Sequence, residues 1–227
     1  MIKVENIETW GFEHAIRGMR NPMNSWDKSD SDWEFVEDPA IINPNDEVRF
    51  VAGPNDLDLM RRLYKAGPEH RKYLRQIFVS MDITAPLYWW KEFDTYKVGT
   101  VANSCSTMHK IHAKPFELSD FSYEHLKEEP YRGGYVPNVQ ILKTVIGALN
   151  DCRKRYLETK DKVWWWQMIQ LLPSSYNQRR TVTMSYENIM TMINQRSFHK
   201  LDEWRFLADI LRNVPYITEI RGENDDS

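Results

Sequence analysis

The sequence predicts an α+β fold in one domain of 227 residues. Residues 77–84 and 178–186 alternate between apolar and polar side chains, which is the period-two pattern of half-buried strands. Apolar residues recur at spacings of three and four over residues 138–160 and 201–213, which is typical of amphipathic helices. A chain of this length could form one large domain or two small ones, and we predict a single domain over residues 1–227.

Composition and charge exclude several classes of protein. With 41% hydrophobic and 13% aromatic residues the chain can bury a sizeable core, which excludes a disordered or low-complexity protein. Its 30 basic and 33 acidic residues give a net charge of −3, so no overall positive field draws it to nucleic acid or to an anionic membrane. The apolar runs are too short to span a bilayer, and two cysteines fit a reducing compartment. We expect a cytoplasmic protein without a membrane or nucleic-acid partner.

The first third of the chain predicts two helical segments around a loop. Residues 1–20 indicate a short strand and a helical turn. Residues 27–46 lack periodicity and predict a loop, whose acidic first part is either a solvated surface or a mobile lid. A helix follows, with Asn55 or Asp56 as its cap, and ends near Ala66 before a Gly-Pro pair.

Beyond the strand at 77–84, the pattern is mainly helical. Pro86 begins a helix whose aromatic residues we expect in the core: Tyr88, Trp89, Trp90 and Phe93. Residues 114–137 are irregular because of their Pro and Gly content, although a short helix could start at Ser119. Further helices are predicted over residues 138–160, 164–172, 187–196 and 201–213, and the polar tail 221–227 is expected to fray.

The sequence lacks the signature motifs of several enzyme classes. It contains no Walker phosphate loop, no GxGxxG after a strand, no GxSxG and no HExxH. His109 and His112 could bind a metal ion if they shared a helix face, but no nearby cysteine or carboxylate completes a ligand set. We therefore predict structural or surface histidines and no metal site.

Two groups of polar residues are candidates for ligand contacts. The first, in residues 100–107, comprises Thr100, Asn103, Ser104, Cys105, Ser106 and Thr107. These residues either line a polar site or form a loop that satisfies its own backbone. The second group is Arg179, Arg180 and Arg196, whose guanidinium groups suit phosphate. Neighbouring residues on a strand point to opposite faces, so only one of Arg179 and Arg180 can face a given pocket.

The order of elements and several motifs resemble the flavin-dependent thymidylate synthases, the ThyX family, over residues 14–213. The segment FVSMDITAP matches the alternating strand and apolar-Pro turn of the family. The late matches are Leu172-Pro173, Asn194, Arg196, His199 and Trp204, which follow the family's leucine-proline, Asn-x-Arg, His and Trp pattern. His199 comes three residues after Arg196, where the family has four.

The same resemblance shows where this chain departs from the family. In an ungapped register, Thr95, Tyr96 and Lys97 stand at the family's Arg-His-Arg triplet, and Cys105 stands at its serine. His70 falls on the active-site histidine of the family. Glu92 stands where the family has a glutamine, and Ala102 with Asn103 stands at its Asn-Glu pair. Ile169 stands at its phosphate-binding arginine.

The resemblance implies an antiparallel sheet with packed helices and a homotetramer that holds FAD at subunit interfaces. It implies reductive C5 methylation of dUMP or a related pyrimidine nucleotide, with methylenetetrahydrofolate and NADPH as co-substrates. Together with the two polar groups, it leads to three sets of predicted site residues. The catalytic set is Cys105, Ser104 and Arg196. The cofactor-binding set is His70, Tyr96, Lys97, Asn194 and His199. The substrate-binding set is Glu92, Asn103, Ser106, Arg179 and Arg196.

Three functions are compatible with these residues. The leading one is a ThyX-like enzyme, favoured by His70, Asn194 and Arg196. The replaced triplet favours a protein that keeps the fold and acts as a nucleotide-binding or interaction module. In a third, Cys105 is a nucleophile at C6 of the pyrimidine without flavin, activated by Lys97 or His70, whereas the simpler alternative makes Cys105 a small buried hydrophobic residue.

Overall fold

A computed structural model describes residues 2–35, 48–130 and 136–222 of the chain. Its strands are β1 (Lys3–Trp10), β2 (Asp32–Phe35), β3 (Val48–Val51), β4 (Phe78–Pro86), β5 (Thr100–Ser104) and β6 (Asn177–Ser185). Its helices are α1 (Phe12–Arg20), α2 (Pro54–Ala66), α3 (Leu87–Phe93), α4 (Thr107–Lys110), α5 (Asn138–Thr159), α6 (Lys162–Leu171), α7 (Tyr186–Arg196), α8 (Asp202–Arg212) and α9 (Ile217–Arg221). The predicted α+β class is confirmed.

Four of the strands form one antiparallel sheet in the order β1-β4-β6-β5. The other two, β2 and β3, form a separate antiparallel ribbon in which Asp32 lies opposite Val51 and Phe35 opposite Val48. The alternation that predicted β4 is confirmed, since Val79, Met81 and Ile83 are buried. Apolar side chains two residues apart share one face of a strand, so this face is the one removed from water.

The chain divides into two compact units, and the single-domain organisation stays a prediction. The first unit contains residues 1–5, 81–97 and 102–182, and the second contains residues 6–80, 98–101 and 183–227. In the first unit α5 packs on α6, and the buried core includes Ile111, Phe116, Phe121, Leu142, Ile146, Leu149 and Met168. The same unit contains α3, whose Trp89, Trp90 and Phe93 are buried as predicted, whereas Tyr88 is half-buried.

In the second unit α2 packs against α9, and α7 packs against α8. The predicted stripe of α8 is buried through Trp204, Leu207, Ala208 and Leu211, with Leu201 half-buried at its cap. Burial also raises the pKa of Tyr73 and of Tyr186, so both phenols are neutral at physiological pH. Helix α8 therefore buries the apolar side chains that its spacing predicted, and the two buried tyrosines of this unit are uncharged.

Three elements differ from the prediction. Strand β2 lies inside the predicted loop 27–46, because Trp33 and Phe35 favour a strand and pair with β3; residues 36–46 lie outside the described residues. The polar stretch after Gly99 is an edge strand, β5, followed by the short helix α4. The predicted tail contains the end of α9 at Arg221, while residues 223–227 are outside the described part.

The prediction that Asn55 or Asp56 caps α2 is wrong. The helix begins at Pro54, and its first free N–H groups, those of Asn55 and Asp56, donate to the carboxylate of Asp30 at 2.9 and 3.1 Å. Pro54 has no N–H and a backbone angle suited to the first helical position, so the helix starts two or three residues earlier than predicted, with Gly53 as its cap. Asp30 supplies a cap from a distant part of the sequence, which local capping patterns cannot reveal.

The side chain of Asp56 is fully buried at the start of α2. It accepts hydrogen bonds from Arg20 Nε at 2.6 Å, from Ser29 Oγ and Ser31 Oγ at 2.7 Å each, and from the N–H of Asp30 at 3.2 Å. Burial by itself would raise the pKa of this carboxyl, but the hydrogen bonds and the charge of Arg20 outweigh it and lower the pKa. Asp56 thereby fixes the segment 29–31 on the start of α2.

Candidate functional site

Two arginines contact one carboxylate in the second unit. Arg75 donates two hydrogen bonds to Glu187, at the start of α7, and Arg71 Nε lies 3.7 Å from the same carboxylate. The hydrogen bond to Glu187 raises the pKa of Arg75. The guanidinium of Arg71 also lies over the ring of Tyr64, with 5.5 Å between Cζ and the ring centroid. We call these four residues the Glu187 cluster; two cations against one anion leave it with excess positive charge.

The Glu187 cluster was not predicted from the sequence. Its members are far apart in the chain, with Arg71 and Arg75 before β4 and Glu187 after β6, so only the fold brings them together. The spacing of Arg71 and Arg75, directly after His70, is a local basic pattern that could have been noticed. Arg71 Nε is buried and has no hydrogen-bond partner among the described residues, so one donor of this guanidinium is unsatisfied.

Two predicted cofactor residues lie beside this cluster. Asn194, near the end of α7, donates to the hydroxyl of Tyr64 at 3.4 Å and accepts from Arg221 Nη1 at 2.7 Å. His70 is exposed in the turn before Arg71, and its N–H donates to the carbonyl of Gly67 at 3.1 Å. Asn194 therefore contacts Tyr64, and the ring of Tyr64 lies beneath the guanidinium of Arg71. Arg71 directly follows His70 in the sequence.

Arg196 and His199 share one aromatic surface in the same unit. The guanidinium Cζ of Arg196 lies 4.4 Å from the ring centroid of Trp204, and the ring of His199 lies 6.3 Å from it. His199 Nδ1 accepts the N–H of Leu201 at 3.2 Å, and Arg205 donates to the carbonyl of His199 at 2.6 Å. Cation–π contact with a buried tryptophan orients Arg196 without neutralising its charge.

The arginines of β6 lie in the first unit and are ion-paired. Arg179 donates to Asp82 at 2.6 Å, with Glu5 at 4.0 Å, whereas Arg180 donates to Asp94 at 2.7 Å. They contact different carboxylates, as expected for neighbours on opposite faces of a strand. The structure therefore gives Arg179, the predicted substrate residue, an internal counter-ion.

The polar residues around Cys105 are exposed at the edge of the sheet. Asn103 and Ser104 end β5, and the thiol-bearing Cys105 follows, so the alternative of a buried cysteine is wrong. The N–H of Cys105 donates to the carbonyl of Arg179 at 2.9 Å, which places these two predicted residues side by side. Ser106 caps α4, since its Oγ accepts the N–H of His109 at 3.0 Å. This short stretch therefore satisfies its own backbone and also exposes its thiol and amide groups.

The segment at the position of the family's triplet closes the end of α3. Thr95 donates from its N–H and its Oγ to the carbonyl of Glu92, at 3.1 and 2.7 Å, and Tyr96 donates its N–H to Phe93. Glu92 and Tyr96 are half-buried and Lys97 is exposed. Ile169 is partly buried against the core of the first unit, where an apolar side chain is favoured over a phosphate-binding one.

Within the described ranges, no group of three His, Cys, Asp or Glu residues has a geometry that could hold a metal ion. His112 does not belong to α4 and packs edge-on against Tyr156, with 4.9 Å between ring centroids. The described helices also include none that combines the length and the apolar character needed to cross a membrane.

The chain resembles solved structures in fold. No protein-family model matches it, and no curated protein matches it in sequence. The flavin-dependent thymidylate synthase ThyX of Helicobacter pylori, complexed with FAD and dUMP, matches with a TM-score of 0.66 and 18% identity over 97% of this chain and 98% of its own. Another ThyX structure from that organism with FAD and dUMP gives 0.64 and 16% over 98% of each chain.

A third solved structure with a similar fold is a nucleotide methylase. The UMP/dUMP methylase PolB of Streptomyces cacaoi, bound with 5-Br UMP, has a TM-score of 0.58 and 13% identity over 97% of this chain and 93% of its own. The identities are low, but the superpositions include nearly every residue of both partners, with the strands and helices described above. The chain therefore has the fold of the flavin-dependent thymidylate synthases over almost its whole length.

Proposed function

We propose that this protein binds FAD and a pyrimidine nucleotide and methylates the pyrimidine at C5, as a ThyX-like thymidylate synthase does. The observation that carries the proposal is the full-length fold match to enzymes whose structures hold FAD and dUMP, together with a UMP/dUMP methylase. Methylenetetrahydrofolate and NADPH are the proposed co-substrates, and the cytoplasm is the proposed location. The proposed assembly is a homotetramer.

The second unit contains groups that fit an anionic cofactor. Arg71 has a buried Nε with no hydrogen-bond partner among the described residues, and the Glu187 cluster has excess positive charge. A flavin dinucleotide carries a diphosphate, and guanidinium groups bind such oxygens in charge-assisted pairs. In this proposal Arg71, His70 and Asn194 hold FAD with His199, and the bound flavin, once reduced by NADPH, would supply the reducing equivalents.

Arg196 is the proposed contact to the nucleotide. Its guanidinium lies 4.4 Å from the ring centroid of Trp204, and a guanidinium suits bidentate binding of a phosphate. Tyr96, Lys97, Glu92, Asn103, Ser104, Cys105 and Ser106 are proposed to line the pyrimidine side, with Cys105 as its reactive group. Exposure of the Cys105 thiol makes it accessible to a substrate.

One observation favours a second candidate, a nucleotide-binding protein without flavin chemistry. At the position of the family's Arg-His-Arg triplet, Thr95 and Tyr96 offer no cation and donate their N–H groups to the end of α3. In this alternative the nucleotide binds through Arg196 while the redox step is lost.

Titration with FAD and with dUMP separates the two functions. For the enzyme we expect a bound-flavin absorbance spectrum and dUMP binding, and formation of dTMP when both co-substrates are added. Arg71→Ala should weaken FAD binding about tenfold, because it removes a charge-assisted donor.

Arg62→Ala is the matched control, since this exposed arginine pairs with Asp58 on α2 and should leave both affinities unchanged. Binding of dUMP to a protein that ignores FAD would support the second candidate. Binding of neither ligand would contradict both.

A further inference from the structure

A cavity of about 880 Å³ lies within the second unit, and its lining residues differ from those proposed for flavin and nucleotide. It is formed by the end of β1, the start of α1, the β2–β3 ribbon and the turn before α9. Its volume is in the range of small-molecule sites, about 300–1,000 Å³. None of the predicted catalytic, cofactor or substrate residues lines it.

Aromatic side chains form much of its wall. Trp10 stacks on Phe78 with 6.0 Å between ring centroids and stays 44% exposed. Trp33 meets Phe50 edge-on at 5.6 Å and stays 54% exposed. Both tryptophans line the cavity, so each offers open ring surface to a ligand. Exposed indole rings in a concave site are typical of sites that stack planar ligands.

Tyr216 forms another part of the cavity wall and has an unusual backbone conformation. Its φ of 62° is left-handed, which is uncommon for a bulky residue. Its hydroxyl accepts the N–H of Ala52 at 3.0 Å, and its ring meets Phe12 edge-on at 5.2 Å. Such conformations persist where the surroundings impose them, and they concentrate at ligand sites. The tyrosine wall is thus already positioned for a ligand.

The polar lining determines the class of ligand. Glu13 and Glu219 supply two carboxylates, and Arg49 supplies one guanidinium. His14, whose Nδ1 lies 2.9 Å from Arg17 Nη2, supplies an imidazole. A purely apolar ligand would desolvate these charges without compensation, which is unfavourable. A phosphate would meet two carboxylates beside a single guanidinium. An uncharged heterocycle that carries both hydrogen-bond donors and acceptors satisfies the carboxylates, the guanidinium and the aromatic walls together.

We propose that this cavity is a second ligand site that binds a neutral purine-type heterocycle of nucleoside size, stacked on Trp33. The proposal does not depend on the flavin–nucleotide function. The carboxylates of Glu13 and Glu219 accept its ring and amino N–H groups, and Arg49 donates to its ring nitrogen or carbonyl.

The test is calorimetric titration of the full chain with adenosine, guanosine and AMP. We expect at least one nucleoside to bind more tightly than AMP, because the added phosphate faces Glu13 and Glu219. Trp33→Ala should weaken nucleoside binding about tenfold, the usual loss when a base loses one stacking partner. Trp166→Ala, which removes another half-exposed tryptophan on α6, should leave binding unchanged.

Two further measurements separate this cavity from the proposed nucleotide site. Nucleoside binding should persist in Arg196→Ala and in the presence of saturating dUMP. Glu219→Gln keeps the shape of the side chain while it removes one negative charge, so it should narrow the preference for nucleoside over AMP. The proposal is overturned if neither nucleoside binds, if Trp33→Ala binds like the unaltered chain, or if dUMP displaces the nucleoside.

Discussion

At the scale of single residues, Asp56 forms a buried ion pair with Arg20. Its carboxylate and the guanidinium of Arg20 are 0% and 5% exposed, so neither charge is solvated in the folded state. We predict that Asp56→Asn lowers the free energy of unfolding at pH 7 by about 3–5 kcal/mol, because a buried guanidinium then loses its counter-ion. Urea unfolding measures the loss. Asp58→Asn is the control, since that carboxylate lies on the same helix, is exposed, and should matter little.

The same residue determines part of the response to acid. The pKa of Asp56 is lower in the folded protein than the roughly 3.9 of an unfolded chain, so the unfolded state binds more protons in this range. Its stabilising contribution is complete above that unfolded value and is lost as the pH falls through the folded pKa. We expect the urea concentration at the unfolding midpoint to decrease as the pH is lowered below about 4, and to decrease less steeply in Asp56→Asn. Equal slopes for both proteins would contradict this assignment.

Single residues also show what sequence could reveal about the site. His70, Asn194, Arg196 and His199 were identified from motifs, and the structure places all four in the second unit. Glu187 could not be identified, because its value comes from contact with Arg71 and Arg75, more than a hundred positions earlier in the chain. An ion pair between residues that are distant in the sequence leaves no local pattern from which it could be predicted.

At the scale of elements, α6 depends on one side chain for its start. Asp161 is its N-cap and accepts the N–H of Val163 at 3.0 Å. We predict that Asp161→Ala lowers the free energy of unfolding by about 1 kcal/mol, which is the usual cost of a lost cap. Asp161→Asn should keep most of the stability, because the amide oxygen accepts the same bond. Thermal and urea unfolding of the three proteins measure the effect; equal loss in both variants would mean that charge, and not capping, is responsible.

Period and length explain which elements could be predicted. Strand β4 and helix α8 could be predicted because their buried side chains repeat regularly. The repeat is every second residue in the strand and every three or four residues in the helix. Strand β5 is polar and lies at the edge of its sheet, so it has no buried face to produce alternation. Strand β2 and helix α9 comprise four and five residues, too few for a period to emerge. The order of the strands in the sheet also depends on pairings that no local pattern contains.

At the scale of the whole molecule, the proposed function requires assembly. The ThyX resemblance implies that FAD is held where subunits meet, so cofactor binding and oligomerisation should be linked. We predict that flavin absorbance elutes from a sizing column with a particle of four times the chain mass, measured by light scattering. Dilution should release flavin as subunits separate. Flavin that elutes with a single chain would contradict the interface site. The control Arg62→Ala should elute with flavin at the same mass as the unaltered protein.

The edge strand β5 has a further consequence for this molecule. Unpaired strand edges can recruit strands from other chains, which is how many sheets extend into aggregates. Here the edge is only five residues long, and its sequence, TVANS, has a single large apolar side chain, Val101. The polar groups that made this stretch a candidate ligand site therefore also protect the folded protein against uncontrolled self-association.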